Sequence, residues 1–163
     1  MRPVVAVAEM QAIDAEAAAT TPTDVLVARA GAAVARAVLR RLGGSYGRRV
    51  VVVAGKGHNG DDGRVAAARL SRLGVRVTVV DAASGRGSSD PPDLPRADLV
   101  VDAAYGTGFR GEYRAPSSHG APVVAVDIPS GVQGDTGAAS PTAVRAELTV
   151  TFAALKPGLL LGE

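Results

Sequence analysis

The sequence predicts an α/β fold built on a mostly parallel sheet, and three observations carry that reading. Short valine-rich runs recur at Val50–Ala54, Val75–Val80, Leu99–Asp102 and Val123–Asp127, with a fifth at Leu148–Phe152. They read as apolar on both faces, as expected for a parallel sheet covered on both sides. Three of the runs reach an aspartate (Asp81, Asp102, Asp127), which lines carboxylates along one sheet edge. Open α/β sheets bind their ligands at the carboxyl ends of the strands. Finally, Val50 to Gly63 reads V-V-V-V-A-G-K-G-H-N-G-D-D-G, a buried strand running into a glycine loop, with a helix expected over Gly63–Leu73.

Two helices should precede the sheet. Glu9–Ala19 is alanine-rich, and Thr20–Thr23 with Pro22 interrupts it. Thr23 can cap a second helix running to about Leu42, where Gly43-Gly44 ends it. Val27, Val34, Val38 and Leu42 share one face of that helix. Arg29, Arg36 and Arg40 share another that reads as solvated, and Gly31 permits close approach to a neighbour. The connections Ala82–Asp98 and Ala103–Pro122 carry no helical pattern; the first holds Pro91, Pro92, Pro95 and a glycine-serine run. Each is long enough for a parallel crossover, which needs about 10–12 residues. One sheet face is therefore expected to be thinly covered by this chain and completed by a partner subunit or another domain.

The 163 residues suit a single domain with a real core. Cysteine is absent, which excludes disulfides, thiolate zinc sites and a cysteine nucleophile. The two histidines, His58 and His119, leave zinc short of ligands. No stretch approaches the ~18 apolar residues of a membrane span, and the residues before Glu9 are too few for a signal peptide; a soluble cytoplasmic protein is expected. Net charge is +2, with arginines scattered and aromatics scarce, so nucleic-acid binding is disfavoured.

Three stretches carry chemistry. Gly55, Gly57 and Gly60 fit G-x-G-x-x-G, and Asp81 could bond a ribose, the pattern of a nicotinamide-dependent oxidoreductase. Asp61 and Asp62 argue against that reading. They fall at the helix N-terminus where a pyrophosphate would sit, and two carboxylates there would repel it. The bland alternative is a glycine turn with helix-capping aspartates. The second stretch leaves a strand at Asp102 and enters the glycine-rich run Gly106–Glu112, whose amides can cup a phosphate and whose Arg110 can add a charge-assisted bond. A long surface loop is its plain alternative. In the third, Val126–Gly131, Asp127 can act as a general acid or base and Ser130 as a cation or hydroxyl ligand; alternatively Asp127 caps its own turn.

Together these stretches resemble the YjeF N-terminal family of NAD(P)H-hydrate epimerases. The family's G-x-G-N-N-G-G-D-G stands here as Gly55–Gly63, with His58 in place of the first asparagine and Asp61 in place of a glycine. D-A-x-x-G-T-G is Asp102–Gly108, V-D-I-P-S-G is Val126–Gly131, and Asp135–Gly137 follows. Thr149–Gly158 resembles the family's closing strand, and Ile13-Asp14 and Arg29–Gly31 fit its leading helices. The resemblance implies a Rossmann-like three-layer α/β/α domain, often a homodimer, that interconverts the R and S forms of hydrated NADH and NADPH (NADHX and NADPHX). It implies substrate contacts from His58, Asn59, Gly60, Asp61, Asp62, from Gly106, Thr107, Gly108, Phe109, Arg110, Gly111, Glu112, and from Asp127. It also implies a potassium ion held by Asn59, Asp102 and Ser130, whose amide, carboxylate and hydroxyl oxygens suit a hard cation. Asp127 is the candidate acid/base. A dehydratase partner, in many bacteria fused on the C-terminal side, would restore the usable cofactor, and this chain would be one domain, truncated from a longer protein. A non-catalytic ligand-binding or scaffold module on the same fold is the alternative from another class.

Overall fold

A computed structural model of the chain describes residues 3–82 and 91–161. The elements run α1 (Val7–Thr20), α2 (Thr23–Leu42), β1 (Arg49–Ala54), α3 (His58–Arg72), β2 (Arg76–Asp81), β3 (Leu99–Ala103), β4 (Val123–Val126), β5 (Leu148–Val150) and α4 (Gly158–Leu161). The five strands form one all-parallel sheet in the order β2-β1-β3-β4-β5. This is the parallel α/β sheet the valine runs predict and the Rossmann-like fold the family resemblance implies.

The two faces of the sheet are covered differently. On one, Val34 and Val38 of α2 and Ala66 and Leu70 of α3 pack on Val50, Val52, Val101 and Val124. Gly31 is what allows α2 to reach α3: a Cβ there would lie 2.5 Å from Val65 Cγ1. On the other face Val51, Val53 and Val100 are sealed by Leu94, Ala104 and Tyr113, which come from irregular segments. Among the described residues no helix lies in either long connection. The glycine-serine run falls at 83–90, outside the described residues.

Several boundaries differ from the sequence expectations. Helix α3 starts at His58 rather than Gly63, so the polar residues read as loop form its first turn. Gly57 is extended, and its carbonyl accepts from the Asp61 N–H at 3.1 Å, which closes that turn. Acidic side chains favour the positive end of a helix. Thr23 is the first helical residue and not the cap; Pro22 precedes it with φ −53°, already preset for a helix. Helix α1 gains its start from afar, since Asp135 Oδ1 accepts from the Val7 N–H at 2.7 Å. Strand β5 ends at Val150, short of Phe152.

Candidate active site

A cleft of about 1150 Å³ opens at the carboxyl edge of the sheet, walled by α1, α2, the start of α3 and the segment after β3. The strand-end aspartates meet it differently. Asp127 lies just past β4 at φ 68°, a left-handed conformation uncommon for a residue with a side chain and found mostly where function or tight packing demands it. Its N–H still bonds Val150 O at 2.7 Å, so the turn is pinned to the sheet. Lys156, 1% exposed, donates from Nζ to Asp127 Oδ1, to Thr151 Oγ1 at 2.8 Å and to Phe152 O at 3.2 Å, using all three of its protons. The other carboxylate oxygen, Oδ2, faces Gly106, where a Cβ would stand 3.5 Å from it and 3.6 Å from Asn59. One oxygen of Asp127 is thus held and the other is turned toward the cleft.

Asp102 sits inside β3, is buried, and does not line this cleft. Its Oδ2 accepts from the Ser130 N–H at 2.8 Å and its Oδ1 from the Ser130 hydroxyl at 2.7 Å and the Ala104 N–H at 3.3 Å. Burial pushes its carboxyl up to about 6, and the Ser130 bonds pull the other way. Ser130 Oγ also accepts from the Tyr105 N–H at 2.9 Å, which ties the turn after β4 to the start of the glycine-rich segment. Asp102 also borders a separate cavity of about 200 Å³ on the loop-covered face, next to Tyr113.

The first glycine stretch is shaped by packing. A Cβ on Gly55 would lie 1.9 Å from Ala104 O, one on Gly60 1.9 Å from Gly55 O, and one on Gly63 2.5 Å from the Ala103 Cβ. These glycines let α3 lie directly against β1 and β3. Asp81, the ribose partner of the oxidoreductase reading, accepts from Arg64 Nη2 at 2.8 Å, while Arg64 Nη1 donates to Gly55 O at 2.7 Å. That engagement, together with the acidic first turn of α3, weighs against a pyrophosphate cradle.

His58, Asn59, Asp62, Gly106, Thr107, Gly108, Phe109, Arg110 and Asp127 converge on the cleft. Gly60, Asp61, Gly111 and Glu112 do not line it, and Asp61 turns toward Arg64, 3.9 Å away. The Asp61 side chain therefore stands clear of the cleft, although it replaces a glycine of the family motif. Asp62 is buried and its carboxyl is pushed up to about 7, first by burial and then by Asp127, Asp61 and Asp14. The Asn59 amide is buried with neither oxygen nor nitrogen hydrogen-bonded.

Among the residues given no chemical role by the sequence, two neighbours of the acidic site stand out in the cleft. Lys156 is one; its signal was available, because Lys56 and Lys156 are the only lysines in a chain otherwise using arginine. Asp14 of α1 is the other. Its carboxyl is raised by burial and by Asp127, and Lys156 and His58 oppose the rise. An aspartate in an alanine-rich helix was a weak signal.

Fold and cleft define the class: an α/β domain with an open cleft at the carboxyl edge of a parallel sheet, lined in part by carboxylates. The model for the family described as YjeF-related protein N-terminus matches residues 23–91 and 82–158. The chain belongs to that family. The NAD(P)H-hydrate epimerase of Limosilactobacillus fermentum is 38% identical over 87% of this chain and 80% of its own length. The bifunctional NAD(P)H-hydrate repair enzyme Nnr of Pyrobaculum aerophilum is 39% identical over 85% of this chain and 34% of its own length. The chain thus spans about a third of that bifunctional relative. The crystal structure of yeast YNL200c shares the fold, with a TM-score of 0.82 and 24% identity over 99% of this chain and 84% of that one. Among the described residues no helix is long and apolar enough to cross a membrane.

Proposed function

We propose that the chain is an NAD(P)H-hydrate epimerase, interconverting the R and S forms of NADHX and NADPHX in nicotinamide cofactor repair. The names of its relatives support the reaction. The observation that carries the proposal is Asp127, one carboxylate oxygen held by buried Lys156 and the other directed into the cleft beside Asn59 and Gly106. Epimerisation at C6 of the hydrated ring needs the C6–O bond to break, a proton to reach the departing hydroxyl, and a water to add on the opposite face. The ring nitrogen stabilises the cation formed between these steps. Asp127 serves as acid and base at that hydroxyl. Asp62 retains a proton up to about pH 7, so the site holds an exchangeable proton beside the Asp127 carboxylate. Asp14 and Asp127 supply the negative surroundings that a ring cation favours.

The donor chemistry suits a potassium ion. The Asn59 amide is buried and without a hydrogen-bond partner, and Asp102 and Ser130 add a carboxylate and a hydroxyl. Asn59, Asp102 and Ser130 would hold the ion, and its charge would offset the burial of Asp102 and order the two segments that carry these residues. His58, Asn59, Asp62, Gly106–Arg110 and Asp127 are the proposed substrate contacts, with Gly60, Asp61, Gly111 and Glu112 supporting them from outside the lining. The 163 residues form one epimerase domain of the cytoplasm. It works as a homodimer with a dehydratase, either fused beyond this sequence or separate.

The test is direct. S- and R-NADHX and NADPHX are incubated with the protein, with and without potassium, and the isomer ratio is followed. Acceleration that increases with potassium is expected. Binding without acceleration would instead mark a non-catalytic module.

A further inference from the structure

The cleft carries charge at two depths, and one rim charge is negative, the exposed Asp14 of α1. Asp62 and Lys156 are buried and Asp127 is largely so, and together they make the floor. Three cations line the same cleft from its exposed rim: Arg29 from α2, Lys56 just before α3, and Arg110 from the glycine-rich segment. Lys156 is committed to Asp127, Thr151 and Phe152. Arg41 and Arg64 elsewhere in the fold are taken up by Glu147 and by Asp81. Arg29 and Lys56, in contrast, have no hydrogen bond or ion pair among the described residues, and Arg110 only a 3.4 Å contact with its neighbour's carbonyl. Arg29 stands on the helix face that the sequence reads as merely solvated.

We propose that Arg29 and Lys56 are phosphate anchors that orient a dinucleotide in this cleft, its phosphates at the cationic rim and its hydrated ring on the carboxylate floor. The inference rests on the epimerase reading for the identity of the ring, but the anchoring is a property of the rim. A dinucleotide presents separated chemistries: phosphates that carry fixed negative charge, and a ring that becomes positive during reaction. With three cations at the rim against the single exposed carboxylate of Asp14, and Asp62 and Asp127 on the floor, the two ends are complemented best in one orientation. An arginine and a lysine without partners among the described residues are free to make charge-assisted bonds to phosphate oxygens. Binding energy spent on phosphates far from C6 is the same before and during reaction, so it acts on KM and not on kcat.

The test uses the full chain with Arg29→Gln, Lys56→Gln and the double variant. ADP-ribose, which has the phosphates and lacks the reacting ring, is titrated by calorimetry. The double variant is expected to bind it about tenfold or more weakly. KM for NADHX is expected to rise by a similar factor with kcat unchanged, and hydrated dihydronicotinamide riboside, which has no phosphate, is expected to be turned over equally by all forms. Both residues are exposed, so thermal unfolding serves as a control and should not move. Unchanged ADP-ribose binding in the double variant overturns the proposal, as does an equal loss with the phosphate-free substrate. If no form epimerises NADHX yet ADP-ribose binding still depends on Arg29 and Lys56, the anchors stand and the epimerase reading fails.

Discussion

Asp102 and Asp127 arise from one sequence pattern, a valine run ending in aspartate on neighbouring strands, and the fold gives them opposite surroundings. Asp102 stays within its strand, buried, with both oxygens accepting from Ser130 and one also from Ala104. Asp127 has stepped past its strand into a left-handed turn, where one oxygen is held by a buried ammonium and the other looks into a cleft. The first carboxylate joins two segments of chain, whereas the second opens onto the cleft. Two aspartates at equivalent strand ends are therefore not two copies of one function; the partner brought to each decides.

Four experiments sharpen or break that contrast. Asp127→Asn should cost the largest effect, a loss of epimerisation of about 10²–10⁴-fold, the usual contribution of an acid/base group. The fold should persist, because asparagine tolerates positive φ better than most residues. The NADHX isomer ratio and circular dichroism read the two outcomes, and normal epimerisation would remove Asp127 from the chemistry. Lys156→Met strips the partner and leaves a partly buried charge unpaired, which destabilises by about 3–5 kcal/mol in urea unfolding. Combining it with Asp127→Asn should recover much of that loss, and a double variant as unstable as Lys156→Met alone would mean that Lys156 acts through packing.

Asp62 extends the comparison to a carboxylate that is buried and has acidic neighbours. Its pKa is raised from 3.8 to about 7, so the native state holds the proton to higher pH than the unfolded chain does. Stability from this group is complete below about pH 4 and declines as pH rises toward 7, by an upper limit on the order of 4 kcal/mol. Asp62→Asn should flatten that decline, so the gap in urea midpoint between variant and parent widens from pH 4 to pH 8; a gap independent of pH would refute the raised titration. Ser130→Ala should have the smallest effect, about 1.5–3 kcal/mol, because the hydroxyl bond to Asp102 is lost while the backbone N–H bond remains. An unchanged midpoint would show that the Ser130 hydroxyl contributes nothing to the joint.

Much of this was legible without coordinates. Valine-rich runs located each strand among the described residues to within two residues; the inner strands β1, β3 and β4 are apolar and buried almost throughout, whereas the edge strands β2 and β5 alternate with Arg76, Thr78 and Thr149 and stay exposed or half-buried. Val27, Val34, Val38 and Leu42 share one face of α2; the last three are buried, while Val27 is half-buried and lines the cleft. Gly31 was read as a close-packing position, and its lack of a Cβ is what Val65 requires. The start of α3 was misjudged because glycines, a histidine and an asparagine look like loop chemistry, while the crowding of Gly55 and Gly60 against backbone carbonyls is invisible in one dimension. Asp61 could be seen to replace a glycine; that it turns toward Arg64 depends on a rotamer and a neighbour three residues on.

The chain alone determined the parallel sheet, its carboxylate-bearing edge, the two leading helices and the family motifs, because all of these are local runs and spacings. The tertiary structure decided which carboxylate has which surroundings. Lys156 meets Asp127 across 29 residues, Ser130 meets Asp102 across 28, and Asp135 reaches Val7 across 128. Protonation and reactivity follow from burial and charge at contact distance, and those contacts exist only once the strands have been laid side by side.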